Sequence, residues 1–168
     1  MSEFENWDQY FMTMAYLAAM KSKDPSTHVG AVIVGTDNQV IATGYNSLPR
    51  GFDDSRTDVM ERPLKYKYFE HSERNAIFNA ALTGVKTKGT RMYTLAHPCS
   101  DCARAIVQSG ITEVIVRDSP NLQNLERWSE DMNVVTLDIF RECGINFRKW
   151  DGEIPELKAK VDSVSSKP

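Results

Sequence analysis

Two short fragments of this chain carry residue types that can do chemistry together: His71-Ser72-Glu73 and Pro98-Cys99-Ser100-Asp101-Cys102. Each opens a predicted helix just after a loop or a strand. Cys99 and Cys102 stand three apart, so they share one helical face and a single tetrahedral ion can reach both sulfurs. They also sit in a first turn, where free N–H groups and the helix dipole favour thiolate over thiol. His71 can supply a neutral imidazole as third ligand. Three protein ligands leave the fourth zinc position for water, the pattern of a catalytic rather than a structural site. Glu73 is the carboxylate that could handle that water's proton.

Two plainer readings compete. A C-x-x-C pair is also a redox motif, or half of a four-ligand structural zinc site. A structural site would need a fourth ligand from Cys143, His28 or His97, and none of these is paired at ligand spacing. A redox pair leaves His71 and Glu73 without a role. His71 precedes Cys99 by 28 residues, with a helix-strand-helix pattern between them. That combination matches the H-x-E…P-C-x-x-C signature of zinc nucleobase deaminases.

The elements that must position these residues follow from periodicity. Residues 7–21 place Trp7, Tyr10, Phe11, Met14, Leu17 and Ala18 at helical spacings. Pro25 breaks that helix. Residues 28–35 and 39–46 are β-branched apolar runs joined by a short polar turn, which reads as an antiparallel hairpin. Residues 46–67 lack periodicity and form a long loop. Then follow a helix over 70–82, a strand over 90–96, a helix over 99–110 and a strand over 111–118. One broken or two short helices fill 121–143, and a last strand covers 145–150. The order α-β-β-α-β-α-β-α-β is an α/β sheet of about five strands covered by helices.

The chain has 168 residues, 41% hydrophobic and 26% charged, which suits one compact domain with a real core. We expect that domain over residues 1–154, with a polar and mobile tail over 155–168. No apolar run approaches the roughly 18 residues a membrane span requires. The acidic, mixed N-terminus has no secretory pattern, so a cytoplasmic location is expected. Three cysteines do not describe a disulfide framework. A net charge of −3 argues against a nucleic-acid footprint, though a few local cations could still hold a small anion.

Beyond the ligands, the sequence resembles the deoxycytidylate (dCMP) deaminases of the cytidine-deaminase superfamily. The resemblance lies in SKDPSTHVGAVIV, GYNSLPRGFDD, KYKYFEHSERNAIFNAA, MYTLAHPCSDCARAIVQSGITEVIV and ECGINFRKW, in family order over roughly residues 7–150. It implies a three-layer cytidine-deaminase-like fold, with a mixed sheet of about five strands flanked by helices. It further implies hydrolysis of dCMP to dUMP and ammonia, and a homohexamer. Two positions depart from the family pattern: Ser72 stands where alanine is usual, and Ser47 replaces the glycine of G-Y-N-G. A second, structural zinc needs more Cys and His than this chain has, so one zinc ion per chain is expected. Regulation by dCTP and dTTP partly depends on the 45–54 loop, in which Ser47 lies; Arg50 is a candidate effector contact.

The resemblance also makes Asn46 a candidate partner of the sugar 3′-hydroxyl, against a turn asparagine in a left-handed conformation. Ser22 and Lys23 become candidates for the 5′-phosphate, against an ordinary polar helix end. Ser72 is a candidate substrate contact. Arg62, Lys65 and Lys67, like Arg50, could hold effector phosphates or form a solvated charged loop. His97 should lie near the zinc pocket through its neighbour Pro98, and Cys143 reads as a small buried residue. Rival functions are deamination of dCTP or of 5-methyl- or 5-hydroxymethyl-dCMP, deamination of tRNA or single-stranded nucleic acid, and a nucleotide sensor with structural zinc. Glu73 argues against the sensor, because structural zinc needs no such carboxylate.

Overall fold

The two core-forming faces of the sheet alternate along every central strand, and the helices divide between them. In the computed structural model, which describes residues 4–117 and 134–156, helix α1 (Trp7–Ala19) is capped by the Asn6 side chain, which accepts from the Gln9 amide. Strands β1 (Gly30–Val34) and β2 (Val40–Tyr45) form the expected antiparallel hairpin. After the 46–67 segment come a short helix α2 (Lys65–Tyr68), then α3 (Ser72–Thr83), β3 (Arg91–Thr94), α4 (Ser100–Gln108), β4 (Glu113–Arg117), α5 (Thr136–Glu142) and β5 (Asn146–Trp150). The strand order is β2-β1-β3-β4-β5. β1 pairs antiparallel with β3, whereas β3–β4 and β4–β5 are parallel, so the sheet is mixed.

On one face Val32, Val34, Tyr93, Ile115 and Trp150 pack against Phe11, Met12, Ala15 and Ala19 of α1. On the other, Ala31, Ile33, Met92, Val114 and Val116 pack against Ala76, Ala103, Ile106 and Phe140 of α3, α4 and α5. This gives three layers, because a strand's side chains alternate between faces. β1 is buried along its whole length, which explains its unbroken apolar run. Gly30 is required where α1 crosses: a Cβ there would overlap the backbone of Ala15 and Ala19.

The 46–67 segment is not wholly irregular as expected. It contains a 3₁₀ turn at Thr57–Val59, and the chain enters α2 at Lys65. Lys65 is also not a solvated cation: it is 4% exposed and paired with Asp24. Cys143 is exposed rather than buried, because it caps the end of α5 on the open side of the turn. The helical expectation over 121–143 is met from Thr136 onward; its earlier part and most of the 155–168 tail lie outside the described residues. Among the described residues, no helix is long and apolar enough to cross a membrane.

Candidate active site

His71 and Cys99 occupy equivalent places: each is the N-cap of a helix, with extended backbone and no side-chain capping hydrogen bond. Their side chains are therefore released from capping and point toward each other. Nδ1 of His71 lies 3.4 Å from Sγ of Cys99 and 3.4 Å from Sγ of Cys102. Zinc–nitrogen and zinc–sulfur bonds at a tetrahedral ion place such atoms about 3.5 Å apart. The donor set, one imidazole and two buried thiols, fits zinc in chemistry as well as spacing. No other group of three such ligands occurs among the described residues.

In the metal-free chain, the hydrogen bond from Cys102 and the nearby His71 draw the Cys99 thiol down to about 4, despite burial. The bond to Cys99 raises His71 to about 9 against its burial. Cys102, bonded to Cys99 and buried, is pushed well up.

Glu73 sits in the first turn of α3, 3% exposed, and burial raises its carboxyl above the ordinary range. The Ser72 hydroxyl, itself fully buried, donates to Oε2 of Glu73 at 3.0 Å. A cleft of about 130 Å³ opens on these residues, with His71, Ser72, Glu73 and Cys99 in its lining. Ala96 and His97 also line it, as expected from the P-C-x-x-C loop; burial lowers the His97 imidazole below its ordinary range. Asp24, Thr27, Val29, Asn46, Arg62, Lys65, Tyr66 and Phe69 complete the lining.

These features answer to a known family. The model of the cytidine and deoxycytidylate deaminase zinc-binding region matches residues 5–117. The chain belongs to this family. It is 37% identical to the deoxycytidylate deaminase of Mus musculus and 36% identical to that of Homo sapiens, each match covering 99% of this chain and 92% of the relative. The fold matches the structure of dCMP deaminase from the cyanophage S-TIM5 in complex with dCMP and dUMP, at a TM-score of 0.68 and 23% identity, covering 89% of this chain and 100% of that one. Zinc is the cofactor of this family's metal-binding region, and His71, Cys99 and Cys102 are the residues here that fit it.

The remaining site expectations fall differently. Asn46 lines the cleft, but its amide is committed: Nδ2 donates to the Thr27 carbonyl at 2.8 Å and to Asp24 at 3.2 Å, and Oδ1 accepts from the Val29 amide at 2.8 Å. Nor is it a left-handed turn residue; that conformation belongs to Asn38. Ser22 is buried and donates to the Asn46 carbonyl at 2.8 Å, away from the cleft lining. Lys23 lines a second cavity of about 440 Å³, where it pairs with Asp54. Arg50 lines that same cavity and donates to Asn79 at 2.7 Å. What sequence reading missed is the pair Lys65–Asp24 and the aromatic wall of Tyr66 and Phe69. The signal was a lysine and two aromatics immediately before the H-x-E motif.

Proposed function

We infer that this protein catalyses the hydrolytic deamination of dCMP to dUMP with release of ammonia, a zinc-dependent step that supplies dUMP. The observation that carries the reading is the buried Glu73 carboxyl beside the His71, Cys99 and Cys102 group at the cleft. The choice of dCMP rests on near-full-length similarity to deoxycytidylate deaminases of mouse and human.

Zinc, when held by His71, Cys99 and Cys102, supplies a Lewis acid that lowers the pKa of a water toward about 7. Glu73 does the proton work. Its carboxylate takes a proton from the attacking water and delivers it to N3 of the pyrimidine. It then takes the second proton from the hydroxyl newly added at C4 and passes it to the amino group, which leaves as ammonia while C4=O forms. One water is consumed and one ammonia released. The Ser72 hydroxyl holds the carboxyl in place between transfers. Phe69, Ala96 and His97 exclude water from the base.

The catalytic unit of this reading is one domain over residues 1–154, acting in the cytoplasm as a homohexamer. Exposed Trp7, Tyr16, Leu17 and Met20 on α1 and Phe78 and Leu82 on α3 support association. The second cavity, with Lys21, Lys23 and Arg50, suits an anionic effector such as dCTP or dTTP. Incubating the zinc-loaded protein with dCMP, dCTP, CMP, deoxycytidine and a tRNA, and following ammonia, tests the reading. Release from dCMP at the highest efficiency is expected; release from tRNA but not from dCMP would sink it. Light scattering with and without dCTP tests the assembly and the effector.

A further inference from the structure

The catalytic cleft contains two cations besides its histidines, and they are in different electrical states. Lys65 is spent: its Nζ donates to both Asp24 oxygens at 2.8 Å and to Ser26 Oγ at 2.6 Å. Burial alone would raise the Asp24 carboxyl, but the bonds from Lys65 and Ser26 outweigh it and hold it below the usual range. A buried pair of this kind is close to neutral toward a third charge. Arg62 differs. It is exposed, it lines the cleft, and among the described residues no carboxylate is paired with it. Its guanidinium carbon lies over the Tyr66 ring, 6.0 Å from the ring centre.

The lining is graded in exposure. Of the residues that share this lining, Glu73 is 3% exposed, whereas Arg62 is open to solvent. A mononucleotide whose base reaches Glu73 must send its phosphate toward the open end. Lys65 anchors the segment that carries Arg62: its ion pair ties α2 to the loop before β1, and the Ser47–Glu70 bridge fixes the other end. By contrast, Lys23 and Arg50, the other cations of this region, line the second cavity.

We propose that Arg62 is the residue that reads the 5′-phosphate of the substrate, held over the open end of the cleft by the Lys65–Asp24 anchor. This rests on dCMP being the substrate. A guanidinium offers two parallel N–H donors to a phosphate, a charge-assisted contact that a free nucleoside cannot make.

The test compares kcat/KM for dCMP and for deoxycytidine on zinc-loaded wild type, Arg62→Gln, Arg62→Lys and Lys23→Ala. Wild type should prefer dCMP, and Arg62→Gln should shrink that preference by about 10- to 100-fold. Arg62→Lys should recover part of it, since it keeps the charge but loses the fork. Lys23→Ala should reduce the preference less than Arg62→Gln does. A wild-type preference that survives Arg62→Gln overturns the assignment alone, as does a collapse confined to Lys23→Ala. A wild type that handles both substrates equally overturns the substrate reading and the assignment together.

Discussion

Gly44 of β2 lies so close to Ser72 of α3 that a Cβ there would overlap the Ser72 carbonyl and the Ala76 amide. This contact seats the first turn of α3, and with it Glu73, against the sheet edge. Gly44→Ala must push α3 outward, because both obstacles are backbone. We expect a loss of about 2–4 kcal/mol in urea unfolding. The activity of the folded fraction should also fall. A variant with wild-type stability would show that α3 is free to shift.

Glu73→Gln should keep zinc and fold but lose turnover. The amide can hydrogen-bond yet cannot carry a proton, and acid–base groups contribute about 10²–10⁴-fold. Because one carboxyl serves successive transfers, the loss should sit at or above the top of that range. Retention of a tenth of wild-type kcat with full zinc content would remove Glu73 from the role of proton carrier.

Zinc should be structural as well as catalytic here. His71 and Cys99 start two different helices, so an ion on both ties α3 to α4. Cys102→Ser, or removal of zinc by a chelator, should lower Tm and abolish ammonia release. Elemental analysis of the wild type should give one zinc per chain; two specifically bound ions would contradict the single ligand group.

Lys65→Met should be among the costliest substitutions outside the metal ligands. It leaves the buried Asp24 carboxylate uncompensated, a situation that costs about 3–5 kcal/mol. Pairing it with Asp24→Asn should restore a good part of that stability. Chemical denaturation of the two single variants and the double variant measures this; additive losses would show that the ion pair is not coupled.

Asp8 links three elements, accepting from Tyr93 Oη at 2.8 Å and from both terminal nitrogens of Arg148 at 2.7 and 2.8 Å. The Arg148 bonds hold its carboxyl below the usual aspartate range against burial. A lowered folded pKa gives stability that is fully present above the unfolded value and lost as pH falls through the folded one. Asp8→Asn should therefore cost about 1–2 kcal/mol at pH 7, with the difference fading below about pH 4. A difference that persists at pH 2.5 would assign it to packing rather than charge.

The zinc ligands and Glu73 were legible in the sequence because their placement is local. A ligand at a helix N-cap needs only the helix start, and that start is written in the residues around it. The strands were legible for a similar reason, since two-faced burial leaves an unbroken apolar run such as residues 30–34. The hairpin followed from its short turn. What tertiary structure alone decided was the traffic of polar side chains between distant segments. Asp24 meets Lys65 across 41 positions, and Asn46 spends its amide on Thr27, Val29 and Asp24. Lys23 follows directly on Ser22 and precedes Asp24, yet it turns to a different cavity. Neighbouring side chains on a loop leave in directions set by backbone dihedrals that no periodicity encodes. A charged group's role depends on which partner those directions bring within about 3 Å, and that is a property of the folded chain.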